Sequence, residues 1–255
     1  LIMFPQMIKE DMKNPIMASV SGTFPMALML LSTYVKPFIG AAAQYIWYFA
    51  IALHIVLIVY FTIKFILKLD MTKVFASYYI VYVGIAVAAV TAPAYGQLGI
   101  GTAAFWFGFV TLIALLILVT VRYTKYKNVP EPAQPLFCIY AAPTSLCIAG
   151  YVQSVTPKSR TFLLVMLAVA TVIYVIALVK AIGYLKLKFY PSYAAFTFPF
   201  VISAIATKQT MACLAKMEQP LPILKPVVLV ETIIATVLVI YTFIRFMGFL
   251  FSSNK

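Results

Sequence analysis

Eight long apolar stretches, separated by short clusters of turn-forming and charged residues, constrain this chain more than any other feature of its sequence. A bilayer core about 30 Å thick needs roughly 20 apolar residues per helix, so each stretch is long enough to cross a membrane. With 64% hydrophobic and 10% charged residues, the composition is unlike that of a soluble domain. The sequence therefore predicts an all-α polytopic membrane protein, with residues 1–255 forming a single transmembrane domain. We place the stretches at about 15–35, 44–67, 74–95, 99–123, 135–155, 160–186, 191–213 and 226–250.

The distribution of the basic residues predicts the orientation. If every stretch crosses the membrane, most of the 19 lysines and arginines lie on the side of the N-terminus. By the positive-inside rule, both termini then face the cytoplasm of a multi-pass protein of the cell membrane. The net charge of +13 needs no nucleic-acid partner, because topology and the attraction of the lipid bilayer account for it. The opposite side holds Lys36, Lys158, Arg160, Lys208, Lys216 and Lys225.

Prolines mark every other stretch. Pro25, Pro143 and Pro199 lie inside the first, fifth and seventh stretches, and the third offers Gly84 as a weaker hinge. The even-numbered stretches carry no proline in their interiors. Because a proline inside a helix removes a backbone hydrogen bond and bends the helix, kinked and straight helices are predicted to alternate.

The kinked stretches recur along the chain at intervals of about 55–60 residues. This spacing indicates a tandem repeat whose unit is a hairpin of one kinked and one straight helix. Since each hairpin crosses the membrane twice, all kinked helices run in the same direction. Parallel repeats of this kind predict four hairpins, with kinked inner helices around a central pore and straight helices outside. Carbonyl groups freed at the kinks are tolerated where they line such a cavity.

The kinked stretches carry small and hydroxyl residues and offer no buried carboxylate for a cation. Such a lining suits weakly hydrated anions, which pass by contacts with hydroxyl and backbone groups. Basic residues at the mouths, such as Lys208, would raise the local anion concentration. We therefore expect small inorganic or organic anions as partners. The candidate lining residues are Ser19, Ser21, Thr23, Thr144, Ser145, Thr197 and Ser203.

Few ionisable residues are expected inside the membrane, namely His54 in the second stretch and Glu231 in the eighth, both of them straight. We interpret His54 as a packed, neutral imidazole, and Glu231 as a structural carboxylate near the headgroups, where it suits the start of a helix. A membrane enzyme would need a cluster of His, Asp or Cys residues, which this sequence lacks. We therefore expect neither catalysis nor a metal or cofactor.

Three segments resemble the tellurite-resistance/dicarboxylate transporter family, whose relatives include the slow-type anion channels of plant guard cells. They are "KNPIMASVSGTFPMALMLLSTY" (13–34), "YVGIAVAAVTAPAYG" (82–96) and "SYAAFTFPFVISAIAT" (192–207). The resemblance implies helical hairpins in a quasi-symmetric ring, one anion pore per protomer and a homotrimer. It also implies that Phe198, just before Pro199, occludes the pore, with Phe24 as a neighbour at similar depth.

The resemblance includes one departure and leaves one alternative. The family has ten helices in five hairpins, so this chain lacks the counterpart of the first hairpin; because it begins with Leu1, we expect a fragment. The family also includes proton- or sodium-coupled carriers and exporters of dicarboxylates or tellurite-related oxyanions. A channel would follow the anion gradient alone, whereas a carrier would depend on a coupling ion and on Glu231. The sequence does not distinguish these functions, nor does it name the anion.

Overall fold

The computed structural model describes residues 5–252, so Leu1 and Lys255 lie outside the described part of the chain. Within that part there are 8 helices long and apolar enough to cross a membrane, and no strand. The prediction of an all-α polytopic membrane protein is confirmed, and the predicted stretches agree with the helices within a few residues. The helices are α1 (Pro15–Ile39), α2 (Ala42–Ile66), α3 (Tyr78–Tyr95), α4 (Leu98–Lys125), α5 (Glu131–Ser154), α6 (Arg160–Tyr184), α7 (Pro191–Lys216) and α8 (Leu224–Phe251).

The chain folds into two compact units. The first comprises Leu1–Asn128 and Gln153–Val155, and the second comprises Val129–Val152 and Thr156–Lys255. The first unit contains α1 to α4, and the second contains α6 to α8 and most of α5. Each unit is therefore built largely from two consecutive hairpins.

In the first unit, α1 and α3 run parallel. The hydroxyl groups of Ser19 and Ser77 are 2.7 Å apart, and the hydroxyl of Tyr95 donates to Ser32 Oγ at 2.8 Å. Residue numbers on both helices rise together between these two contacts, as parallel helices require. The straight helix α2 runs the opposite way, which is the arrangement that consecutive crossings of a membrane produce.

Small side chains allow α4 to pack closely on α3. A Cβ atom added at Gly101 would lie 2.7 Å from Ala92 Cβ, and one added at Gly108 would lie 3.3 Å from Ala86 Cβ. Both distances are shorter than ordinary van der Waals contacts, so the two backbones approach as closely as glycine permits. This contact holds the second hairpin of the unit together.

In the second unit, α5 and α7 also run parallel. Their first turns are joined by two hydrogen bonds, in which Tyr190 donates to Glu131 Oε1 at 2.9 Å and Ser192 donates to the Pro132 carbonyl at 2.6 Å. Further along both helices, the Ser203 hydroxyl lies 3.3 Å from the carbonyl oxygen of Ala141. The two kinked helices of this unit are therefore aligned from their first turns to their middles.

Burial separates the kinked helices from the straight ones. In the most apolar window of each helix, 72% of the residues are buried in α3, 89% in α5 and 56% in α7, but only 22–33% in α2, α4, α6 and α8. The helix α1 is intermediate at 39%. The straight helices thus present most of their apolar surface outward, as expected for the helices that face lipid.

Candidate functional site

Each of the four inner helices changes its helical type inside the span. In α1 a turn at Ser21 and Gly22 separates two α-helical segments, and in α3 a 3-10 segment interrupts the α-helix. In α5 and α7 a 3-10 segment comes first and an α-helical segment follows. The α-helical segments that begin inside the span are Thr23–Ile39 in α1, Ala86–Thr91 in α3, Ala142–Ser154 in α5 and Phe198–Lys216 in α7.

The prolines lie at the start of these α-helical segments. Pro25 is the third residue of its segment, and Pro143 and Pro199 are each the second, and all three are buried. The first turn of a helix has N–H groups without partners, so a residue that lacks an N–H group costs little there. The sequence suggested a proline kink in a continuous helix, whereas the structure shows prolines that fix where a new segment begins.

The four segment starts place helix N-termini within the apolar spans. Most of the first N–H groups donate to the preceding turn, as Phe24 does to the Ser21 carbonyl and Ala142 does to the Ile139 carbonyl, so the helix dipole continues across each junction. Since α1 is parallel to α3 and α5 is parallel to α7, the two N-termini in each unit point the same way.

In the second unit, the serines beside the break contact each other. Ser145 Oγ and Ser203 Oγ lie 3.1 Å apart, and both side chains are buried. Ser203 also donates to the Pro199 carbonyl oxygen at 2.9 Å. The neighbouring Thr144 hydroxyl is buried and has no hydrogen-bond partner among residues 5–252. Of the predicted hydroxyl residues of α5 and α7, the structure brings Ser145 and Ser203 into contact.

Phe198 is the first residue of its α-helical segment and is half-buried. The phenylalanines on either side of it are fully buried and lie in ring contacts, Phe196 with Tyr193 at 4.9 Å and Phe200 with Tyr174 at 5.5 Å. Phe198 makes no such ring contact in the described part of the chain. Of these three phenylalanines, Phe198 is therefore the one that is not held in place by packing against another ring.

The predicted residues of the first unit have mixed surroundings. The Phe24 side chain is 50% exposed, and Thr23 is exposed while its hydroxyl donates to the Val20 carbonyl across the turn. Gly84 lies buried in the 3-10 segment of α3, where an added Cβ atom would come within 2.7 Å of Met26 Sδ. The structure places Phe24 and Phe198 in different units.

The remaining hydroxyl candidates form hydrogen bonds either within their own helix or with a neighbouring helix. Ser19 is buried against Ser77, whereas Ser21 is exposed and donates to the Ala18 carbonyl. Thr197 is half-buried, and its hydroxyl donates to a carbonyl one turn earlier. Sequence reasoning missed Ser77, although its distance of 58 residues from Ser19 matches the repeat spacing and could have identified it.

His54 packs within the first unit as the sequence suggested. Its side chain is fully buried, and Nε2 lies 2.8 Å from the Val81 carbonyl oxygen, to which it donates in the matching tautomer. The other ring nitrogen, Nδ1, is buried and has no hydrogen-bond partner among the described residues. The imidazole thus ties α2 to α3.

Glu231 lies early in α8 and is buried by neighbouring helices. Its side chain is only 5% exposed, and Oε2 has no hydrogen-bond partner in the described part of the second unit. The Thr207 hydroxyl interacts with the carboxyl group, and the nearby Tyr174 hydroxyl is buried and likewise unpaired among those residues. The environment of Glu231 comes from α6 and α7, which its position along α8 does not reveal.

A comparison with protein families identifies the chain. Residues 1–247 match the family described as SLAC1, voltage-dependent anion channel. A comparison with curated proteins finds no match. The family match extends over all the spans described above except the last turn of α8. The chain therefore belongs to the SLAC1 family of voltage-dependent anion channels, of the tellurite-resistance/dicarboxylate transporter type, and is a membrane protein of anion transport.

Proposed function

We propose that the protein is a channel for small monovalent anions, that its pathway follows the broken inner helices, and that Phe198 occludes this pathway. Family membership supports anion transport in general. The particular pathway and its gate are supported by the charges and the packing of the broken helices.

Selectivity for anions is supported by the charges and dipoles of the inner helices. Beyond Glu131, which is the first residue of α5, these four helices contain no acidic residue. Their α-helical segments run parallel in each unit, so the dipoles of the two segments add along the span. Discontinuous transmembrane helices take part in anion binding in other transport proteins.

The half-buried ring of Phe198 supports the proposal of an aromatic gate. An apolar ring at the start of a segment excludes water from a narrow passage, and hydrophobic constrictions of this kind close channels by dewetting. Phe196 and Phe200 are held by Tyr193 and Tyr174, so neither can turn without loss of packing. Phe198 lacks such a ring contact among the described residues and can change rotamer at lower cost.

The test compares Phe198→Ala with Phe200→Ala, a matched control two residues away. If Phe198 is the gate, its truncation raises anion conductance in liposomes several-fold while the protein still inserts and unfolds normally. Phe200 is fully buried, so its truncation costs roughly 3–5 kcal/mol of unfolding free energy and adds no current. A well-folded Phe198→Ala protein with unchanged conductance would refute the gate.

A proton-coupled carrier is the second candidate, because Glu231 is a buried carboxyl group with an unpaired oxygen. Ionisable groups inside membranes are costly and often serve in proton relays. The test is Glu231→Gln, with the exposed Glu131→Gln as control. A channel keeps its anion flux in both variants and needs no pH gradient. Loss of gradient-driven flux in folded Glu231→Gln alone would favour the carrier.

Orientation and assembly also belong to the proposal. We infer a homotrimer in the cell membrane with both termini in the cytoplasm. The orientation is supported by the charge asymmetry and by the clustering of Lys13, Lys64, Lys68 and Lys73 around one cleft. Digestion of a C-terminal tag by protease added outside intact cells would contradict the orientation. Crosslinking in mild detergent that yields only monomers would contradict the trimer.

A further inference from the structure

A basic cleft lies at one end of the first unit, separate from the residues of the proposed gate. It has a volume of about 460 Å³ and is bounded by the start of α1, the end of α2 and the segment between α2 and α3. Four lysines and two acids contribute to its walls: Lys13, Lys64, Lys68, Lys73, Glu10 and Asp70.

The two acids of this basic cleft are already engaged. Glu10 Oε1 is paired with Lys13 at 2.6 Å, and Asp70 Oδ2 with Lys73 at 3.2 Å. Asp70 also accepts hydrogen bonds from the backbone and side chain of Thr72, at 3.0 and 2.6 Å. These contacts hold both carboxylates close to their own segments.

Lys64 and Lys68 are left without a carboxylate partner among residues 5–252. Lys64 lies in the π-helical last turn of α2, Thr62–Ile66, and Lys68 lies in the turn that follows. Both line the basic cleft. Two like charges that line one cleft repel each other, and an anion between them would remove that cost.

We propose that the basic cleft binds a phosphomonoester group between Lys64 and Lys68. A phosphomonoester carries about −1.5 to −2 charges at neutral pH, which matches two unpaired ammonium groups. Lysine binds phosphate as a point charge and needs no fixed bidentate geometry. The cleft lies where a membrane-spanning helix ends, so the group can belong to a lipid headgroup or to a soluble phosphate. This inference goes beyond the proposed channel function and does not depend on it.

The experiment measures ligand binding by thermal stabilisation of the purified protein in mild detergent, because a ligand that binds only the folded state raises its unfolding temperature. Phosphatidic acid and glycerol 3-phosphate supply the phosphomonoester in lipid and soluble form, and phosphatidylglycerol supplies a phosphodiester. The variant is Lys64→Gln with Lys68→Gln. The matched control is Lys125→Gln with Lys127→Gln, since both residues are exposed lysines outside the cleft.

We expect the cleft variant to bind the phosphomonoester roughly tenfold more weakly than wild type, and the control variant to bind it as wild type does. Lys64→Arg with Lys68→Arg should retain binding, because it restores the charges. Stabilisation by phosphatidic acid alone identifies a lipid site, and stabilisation by both phosphomonoesters identifies a headgroup site open to solution. Equal losses in the cleft and control variants, or equal stabilisation by phosphatidylglycerol, would overturn the proposal in favour of diffuse attraction between charges.

Discussion

Ser145 Oγ and Ser203 Oγ lie 3.1 Å apart in the second unit, and the two serines are separated by 58 residues in the chain. Ser19 and Ser77 repeat this relationship in the first unit, with hydroxyl oxygens 2.7 Å apart and the same separation of 58 residues. In each unit, a contact between two buried serine hydroxyls therefore joins the two parallel inner helices, and the sequence separation of the paired serines is the same.

The serine pair of the second unit should couple α5 to α7 energetically. Ser203→Ala leaves Ser145 without its hydroxyl partner, so we expect a loss of about 0.5–1.5 kcal/mol of unfolding free energy. The double variant with Ser145→Ala should cost less than the sum of the two single variants, because both remove the same contact. Unfolding in mild detergent measures this cycle. Strict additivity would show that the two hydroxyls do not interact.

Gly101 should tolerate no side chain. Its added Cβ atom would clash with Ser154 Oγ and would lie 2.7 Å from Ala92 Cβ, so Gly101→Ala should cost about 1–3 kcal/mol of unfolding free energy. Gly183 is the control, since nothing lies within 4 Å of its added Cβ atom. Gly183→Ala should leave stability unchanged or raise it slightly, because alanine favours helix. The measurement is the thermal unfolding temperature of each variant. Similar temperatures for Gly101→Ala and Gly183→Ala would refute the close approach of α3 and α4.

Arg122 should be replaceable by neither lysine nor a neutral residue. Its buried guanidinium donates to the carbonyl oxygens of Thr72 and Asn128, both at 3.1 Å, and to that of Tyr126. Lysine offers one ammonium group in place of this planar fork, so Arg122→Lys should cost about 1–3 kcal/mol of unfolding free energy. The exposed Arg160→Lys is the control and should have little effect. Equal unfolding temperatures for wild type and Arg122→Lys would show that the planar guanidinium group is not required for stability.

Asp70 should contribute stability only above acidic pH. Hydrogen bonds from the Thr72 side chain and backbone, followed by the interaction with Lys73, lower the pKa of the Asp70 carboxyl. A lowered pKa in the folded state means that the contribution is present above the unfolded value of ~3.9 and is lost as the pH falls through the folded value. Wild type should therefore exceed Asp70→Asn in unfolding temperature at neutral pH, and the difference should shrink below about pH 4. A difference that is independent of pH would contradict this assignment.

The positions of the spans and the order of inner and outer helices could be predicted from the sequence, because both depend on patterns that repeat along it. Apolar length marks each span, and Pro25, Pro143 and Pro199 mark alternate helices. The resemblance to the family also agrees with the family match of residues 1–247. The pore gate at Phe198 stays a prediction.

Other features could not be predicted because they depend on local geometry or on distant segments. A 3-10 segment has nearly the same apolar pattern as an α-helix, so the sequence did not show that Pro143 and Pro199 begin new segments. The burial of Glu231 is produced by side chains of α6 and α7. The basic cleft combines Lys13 with Lys64 and Lys68, which lie about 50 residues further along the chain.

The parallel direction of the inner helices has an electrical consequence. In an antiparallel bundle the dipoles of neighbouring helices cancel, but in each of these units the dipoles of the two inner α-helical segments add. An ion that moves along such segments meets a different potential profile from each side of the membrane. Currents driven by equal and opposite voltages should therefore be unequal, so that rectification is a property of the fold before any gate or regulator acts.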